Sequence, residues 1–177
     1  ALTLLTELYS FAQTHPSCSV VFILFTKTEY ACGLLVEDAT FAQHILPFAQ
    51  ADAQGAIYAF WLSATAPLEQ TPIVVFGREG GIHVVANHLF ALLQLLSLDV
   101  EPIIDEDGVY YCKDEENYEP SPNARAFKKW LRTHFQLSSI STNFEAEKLV
   151  ESAQTTHHQA FSQWIQPFLY PRPTLYN

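Results

Sequence analysis

Three glycines set between two apolar runs constrain this chain more than any other feature in it. Residues 72–87 read Pro72-Ile73-Val74-Val75-Phe76-Gly77-Arg78-Glu79-Gly80-Gly81-Ile82-His83-Val84-Val85-Ala86-Asn87. Glycine reaches the positive φ angles of tight turns without steric cost, so 73–76 and 82–85 are predicted to fold back as an antiparallel hairpin. Pro72 stands at the first strand position, where a missing N–H is tolerated. Asn87 is the expected N-cap of a helix over residues 89–98. That helix is apolar nearly all round and should be deeply buried. Residues 56–62 are apolar on both sides, which predicts a central strand covered on both faces, with Trp61 a core residue. The stretch holds no recognisable catalytic set. It suits a scaffold that presents a surface better than an enzyme built around a pocket.

The remaining elements follow from periodicity and punctuation. Leu4, Leu5, Leu8, Phe11 and Ala12 recur at helical spacing and predict a helix over 2–15, ended by Pro16 and Ser17. Short strands are expected at 20–25, 31–36 and 41–49, a turn at Gly55, and a loop over 64–71. Val109-Tyr110-Tyr111-Cys112 reads as a short edge strand. Ser121-Pro122 starts another helix, with Phe127, Trp130, Leu131 and Phe135 on one face and Arg125, Lys128, Lys129 and Arg132 on the other. Thr142-Asn143-Phe144-Glu145 has the form of a capping box, and a helical stripe runs from Ala146 to Ile165. Residues 167–177 are expected to be extended. The sum is one α+β domain over 1–177, its core at about 20–98 and a helical extension at about 120–166. With 49% hydrophobic residues in 177, a sizeable core can be buried.

Charge bears on partners. The 19 acids and 9 bases give a formal net charge of -10, which disfavours nucleic acid and favours a basic partner. Nine of those acids fall between Asp99 and Glu119, with Lys113 the only base among them. Within that segment, Asp105, Glu106, Asp107, Asp114, Glu115 and Glu116 are the candidate partner-binding residues, forming an exposed electronegative surface. No apolar run reaches the roughly 18 residues a bilayer span needs, and no signal-peptide pattern is visible. No membrane association is therefore expected, and the cytosol is the expected location.

Signals for chemistry are sparse. Cys18, Cys32 and Cys112 form no CxxC pair, so three reduced thiols are expected and no structural zinc. The glycine turn lacks the Lys-Ser/Thr of a phosphate loop and leads into a strand. His157 and His158 are neighbours about 100° apart on a helix, which makes it hard for both to ligate one metal. His83 and His134 are isolated in sequence, and no HExxH or GxSxG motif occurs. The acidic triplets do not have the spacing of an EF-hand loop. No catalytic residue, metal site or cofactor is expected.

The run Leu46-Pro47-Phe48-Ala49, Gly55, Tyr58-Ala59-Phe60-Trp61, Pro72 to Gly81, Val84-Val85-Ala86-Asn87 and Leu92-Leu93-Gln94-Leu95-Leu96 resembles the SUKH superfamily. The likeness covers about residues 44–98, a third of the chain, and carries no invariant catalytic signature. It implies an α+β fold with a mostly antiparallel central sheet and packed helices. Bacterial members bind and neutralise a toxin from the same locus, often a nuclease. The helices after about Pro120 depart from the pattern and leave the place of any partner surface open. The favoured expectation is a non-enzymatic immunity-type protein that meets a basic toxin domain with its acidic face. The alternatives are a metal-dependent hydrolase assembled from His83 and the acidic loop, and a regulatory scaffold with a cellular partner.

Overall fold

The computed structural model describes residues 3–20, 22–25 and 38–169. The chain is α+β: among the described residues it has a five-stranded, fully antiparallel sheet whose strands neighbour one another in chain order, a separate two-stranded ribbon, and five α-helices. The sheet strands are β1 (Ile23–Leu24), β2 (Ile45–Gln50), β3 (Ile57–Trp61), β4 (Ile73–Phe76) and β5 (Ile82–Ala86). The strand expected at 31–36 lies outside the described residues.

The glycine turn does what its residues dictate. β4 and β5 pair antiparallel with Val75 opposite His83 and Phe76 opposite Ile82. Gly80 and Gly81 take φ of 126° and 82°, and the Gly77 N–H donates to Gly81 O. In β3 and β4, alternate residues serve two separate cores. Tyr58, Phe60, Ile73 and Val75 face one side, while Ala59, Val74 and Phe76 face the other. This is why both strands are apolar throughout.

The first core is closed by α1 (Thr3–Thr14), α3 (Leu89–Leu96) and α4 (Ala124–Phe135). Leu92, Leu93 and Leu95 of α3 are wholly buried, as its all-round apolarity requires. The second core is closed by α2 (Ala39–His44) through Phe41, and by α5 (Asn143–Leu169) through Ala153, Phe161 and Ile165. The helices after residue 120 contribute buried residues to both cores. Phe127 and Leu131 complete one side of the sheet, and α5 covers the other.

Several expectations need correction. Residues 41–49 are not one strand: Asp38 caps α2 by accepting from Thr40 N and Phe41 N, and the strand begins only at Ile45. Six residues are too few for helical periodicity to show. Asn87 is not the N-cap of α3. His88 is, its Nδ1 accepting from Ala91 N, while the Asn87 amide donates to Ser152 Oγ on α5. Trp61 is half-buried, because it ends β3 and lies against Phe161 and Trp164 at the margin of the second core. The loop over 64–71 contains a short 3-10 helix at Leu68–Gln70. Helix α5 runs past Pro167 to Leu169 instead of giving way to an extended tail there. Among the described residues, no helix is long and apolar enough to cross a membrane.

Candidate functional site

The ribbon pairs β6 (Pro102–Ile104) with β7 (Val109–Tyr111), Ile103 opposite Tyr110 and Ile104 opposite Val109. It is anchored at three points. The buried hydroxyls of Tyr58 and Tyr111 hydrogen-bond at 2.5 Å, joining β7 to the centre of the main sheet. Burial pushes both phenols well above their ordinary range, so both stay protonated and each can share a hydrogen with the other. At the turn, His83 Nε2–H of β5 donates to Asp105 O at 2.7 Å. Gly81 sits so close to this carbonyl that a Cβ there would come within 2.1 Å of it. At the far end, the Asn143 side chain of α5 pairs with the Lys113 peptide: Lys113 N donates to Asn143 Oδ1 at 2.7 Å and Asn143 Nδ2 to Lys113 O at 3.2 Å.

Helix α5 begins at this point because its capping box is made. Glu145 N donates to Thr142 Oγ1, and Thr142 N donates to Glu145 Oε2. The Glu145 carboxyl is held below its usual range chiefly by the Ser141 N–H, with Thr142 adding to it. The cap aims the first two turns of α5 alongside the ribbon. Between the two elements lies an open cleft of about 590 Å³.

The cleft has acidic edges and aromatic walls. Glu106 and Asp107 come from the ribbon turn, Glu147 and Glu151 from α5. Tyr110 and Phe144 also line it and are 50% and 64% exposed. Its lining includes His83 and Gln154, which tie the helix and the turn to the edge of β5. The Gln154 Nε2–H donates to Val84 O. Edge strand β5 is thereby protected from pairing with another chain.

All six carboxylates singled out in the sequence are exposed, but they do not form one site. Asp105 is committed to its own turn, its Oδ1 accepting from Asp107 N and Gly108 N, both at 2.9 Å. Glu106 and Asp107 line the cleft. Asp114 lies beside a different hollow, with Lys113 and Tyr118. Its carboxyl is held below the usual range by the Asn117 side chain and the Glu116 N–H. The Lys113 ammonium lies 3.5 Å from the centre of the Tyr118 ring, so it partly offsets the second triplet. Glu115 and Glu116 line neither cavity.

The histidines do not converge. His83 and His158 line the cleft, whereas His134 lies 4.0 Å from Glu7 and against the Trp130 ring. Among the described residues, no group of three or more His, Cys, Asp or Glu side chains is placed to hold a metal ion. Sequence reasoning missed Tyr110, Phe144, Glu147, Glu151 and Gln154. The one signal available for them was the i, i+4 carboxylate pair Glu147–Glu151, on a helix face that the apolar stripe leaves free. No family model matches the chain, and no curated protein or solved structure matches it.

Proposed function

We propose that this chain is a non-enzymatic protein-binding domain of the immunity type, acting in the cytosol on a basic toxin partner. The observation that carries the reading is the cleft between the ribbon and α5, where exposed rings stand among carboxylates drawn from two elements. Apolar rings rimmed by charge are what a protein interface presents: rings supply desolvation energy, and carboxylates steer encounter and select the partner. A nuclease toxin must itself carry a basic face to hold nucleic acid, and covering that face blocks its substrate. The resemblance of residues 44–98 to the SUKH superfamily points the same way.

The test begins with capture of the partner from the native host on the 177-residue chain, followed by stopped-flow association. The expected partner is basic, is inhibited in its own activity by the chain, and is encoded next to it. Glu106→Gln/Asp107→Asn/Glu147→Gln should slow association by about tenfold at low salt and flatten its salt dependence, with the melting temperature unchanged. An association rate equal to wild type at low salt, both in this variant and in Glu115→Gln/Glu116→Gln/Glu119→Gln, would sink the proposal. A partner that is acidic or is not inhibited would do the same.

A further inference from the structure

The cleft is short of hydrogen-bond donors and rich in acceptors, and this says what kind of group it takes. The donors of His83, Gln154 and Asn143 are already spent, which leaves the Tyr110 hydroxyl and the His158 ring. His83 Nε2–H goes to Asp105 O, Gln154 Nε2–H to Val84 O, and Asn143 Nδ2 to Lys113 O and Cys112 Sγ. The acceptors opposite them are free. Among the described residues, the carboxylates of Glu106, Asp107 and Glu147 have no hydrogen-bond or ion-pair partner, and neither has Gln154 Oε1. His83 is only 8% exposed yet lines the cleft. Since a carbonyl can only accept, Nε2 carries the hydrogen, and in the neutral ring Nδ1 is left as an unpartnered acceptor. Glu151 alone is paired, with Lys148 at 2.5 Å.

A recess whose free acceptors, three of them carboxylates, outnumber its free donors is best satisfied by a ligand that only donates. The protein side chains that present several donors, a fixed positive charge and no acceptor are Arg and Lys. Two features select between them. Acceptors are contributed from both sides of the cleft, by the ribbon turn and by α5, which suits a forked donor set better than a point charge. The exposed rings of Tyr110 and Phe144 offer flat faces on which a planar guanidinium stacks. Lys148 already shows the local chemistry in a mild form, its ammonium lying 5.4 Å from the centre of the Phe144 ring while it contacts Glu151.

We infer that the cleft between the β6–β7 ribbon and α5 receives an arginine side chain projected by the partner protein. The guanidinium lies between Glu106 or Asp107 on one side and Glu147 on the other, over the Phe144 and Tyr110 rings. This rests on the protein-binding reading above and deepens it by naming the anchor that the partner must present.

The experiment uses the 177-residue chain and nine-residue peptides of arginine, lysine or citrulline, at physiological ionic strength so that distant charges are screened. Calorimetry should show the arginine peptide binding about fivefold or more tighter than the lysine peptide, and citrulline, which keeps the shape without the charge, not binding. Glu106→Gln/Asp107→Asn/Glu147→Gln should weaken arginine-peptide binding by about tenfold. Glu115→Gln/Glu116→Gln/Glu119→Gln removes the same charge from outside the cleft and should change it less than about twofold. In the wild-type chain, the His83 ring-nitrogen resonances should shift on addition of the arginine peptide and stay still with citrulline. Equal weakening by the two triple variants, equal affinity for lysine, or a silent His83 would each overturn the inference. A natural partner that ignores the cleft variant but is slowed by the outer one would leave the protein-binding reading standing and remove the arginine cleft. The expected peptide results without any protein partner would do the reverse.

Discussion

Two phenylalanines on helix α5, seventeen positions apart, should respond in opposite ways to the same truncation. Phe161 is 2% exposed and closes the second core, its ring 5.1 Å from Trp61 edge-on and 6.0 Å from Trp164. Burial of a phenyl side chain contributes about 1.5–3 kcal/mol. Each ring pair adds about 0.5–1.5 kcal/mol. Trp61 and Trp164 are only half-buried and can close partly over the gap, which puts Phe161→Ala at about 3–4 kcal/mol, inside the usual range for such a change. For a chain of this size that is a fall in melting temperature of about 6–16 °C. Phe144 is exposed on the cleft wall, and Phe144→Ala should change stability by less than about 0.5 kcal/mol while weakening the partner or the arginine peptide. Urea unfolding followed by tryptophan fluorescence reads the first variant well, since two of the three tryptophans touch the truncated ring. A loss below about 1 kcal/mol in Phe161→Ala would mean that α5 does not complete the core, and the cleft built on it would have no fixed second wall.

Further outcomes follow from buried polar groups. Tyr111→Phe strands the Tyr58 hydroxyl inside the protein and should cost about 1–3 kcal/mol, with Tyr58→Phe/Tyr111→Phe recovering part of it in denaturant melts. Both phenols are raised by burial, so their stabilisation is complete below the ordinary phenol value of 10.0 and is lost as pH rises above it, where only the unfolded chain ionises. Phenolate absorbance and loss of circular dichroism should therefore rise together above that pH, and ionisation preceding unfolding would contradict the buried pair. Burial pushes the Cys18 thiol to about 11, so in Cys32→Ser/Cys112→Ser it should resist a thiol reagent at neutral pH until the protein unfolds. Asp99 is buried at φ 62° and accepts from Val20 N, Tyr118 OH, Ser121 N and Ser121 Oγ. Asp99→Asn keeps the backbone preference but turns a donor toward donors, and should cost about 1.5–3 kcal/mol in the same melts.

What the sequence determined by itself was local. The Gly77, Gly80 and Gly81 turn, the apolar runs of β3 to β5, the all-round apolar α3 and the Thr142 capping box are each specified within a few residues, by backbone freedom, apolarity and cap chemistry. The structure has all of them, together with the α+β class. Helix α2 escaped because one turn and a half carries no period, and His88 displaced Asn87 as a cap because Asn87 had a better partner on α5, 65 positions away. Tertiary structure alone decided where the acids went. The two triplets look like one cluster in sequence, yet Asp105 turned inward on its own loop and Asp114 came to rest by another hollow. The partners that Glu106 and Asp107 gained across the cleft, Glu147 and Glu151, lie some forty residues further on. Such pairing depends on how α5 lies against the second face of the sheet, and that is set by the packing of Phe161, Ile165 and Ala153 on Val74, Phe76 and Val84, a long-range fit that no local pattern encodes.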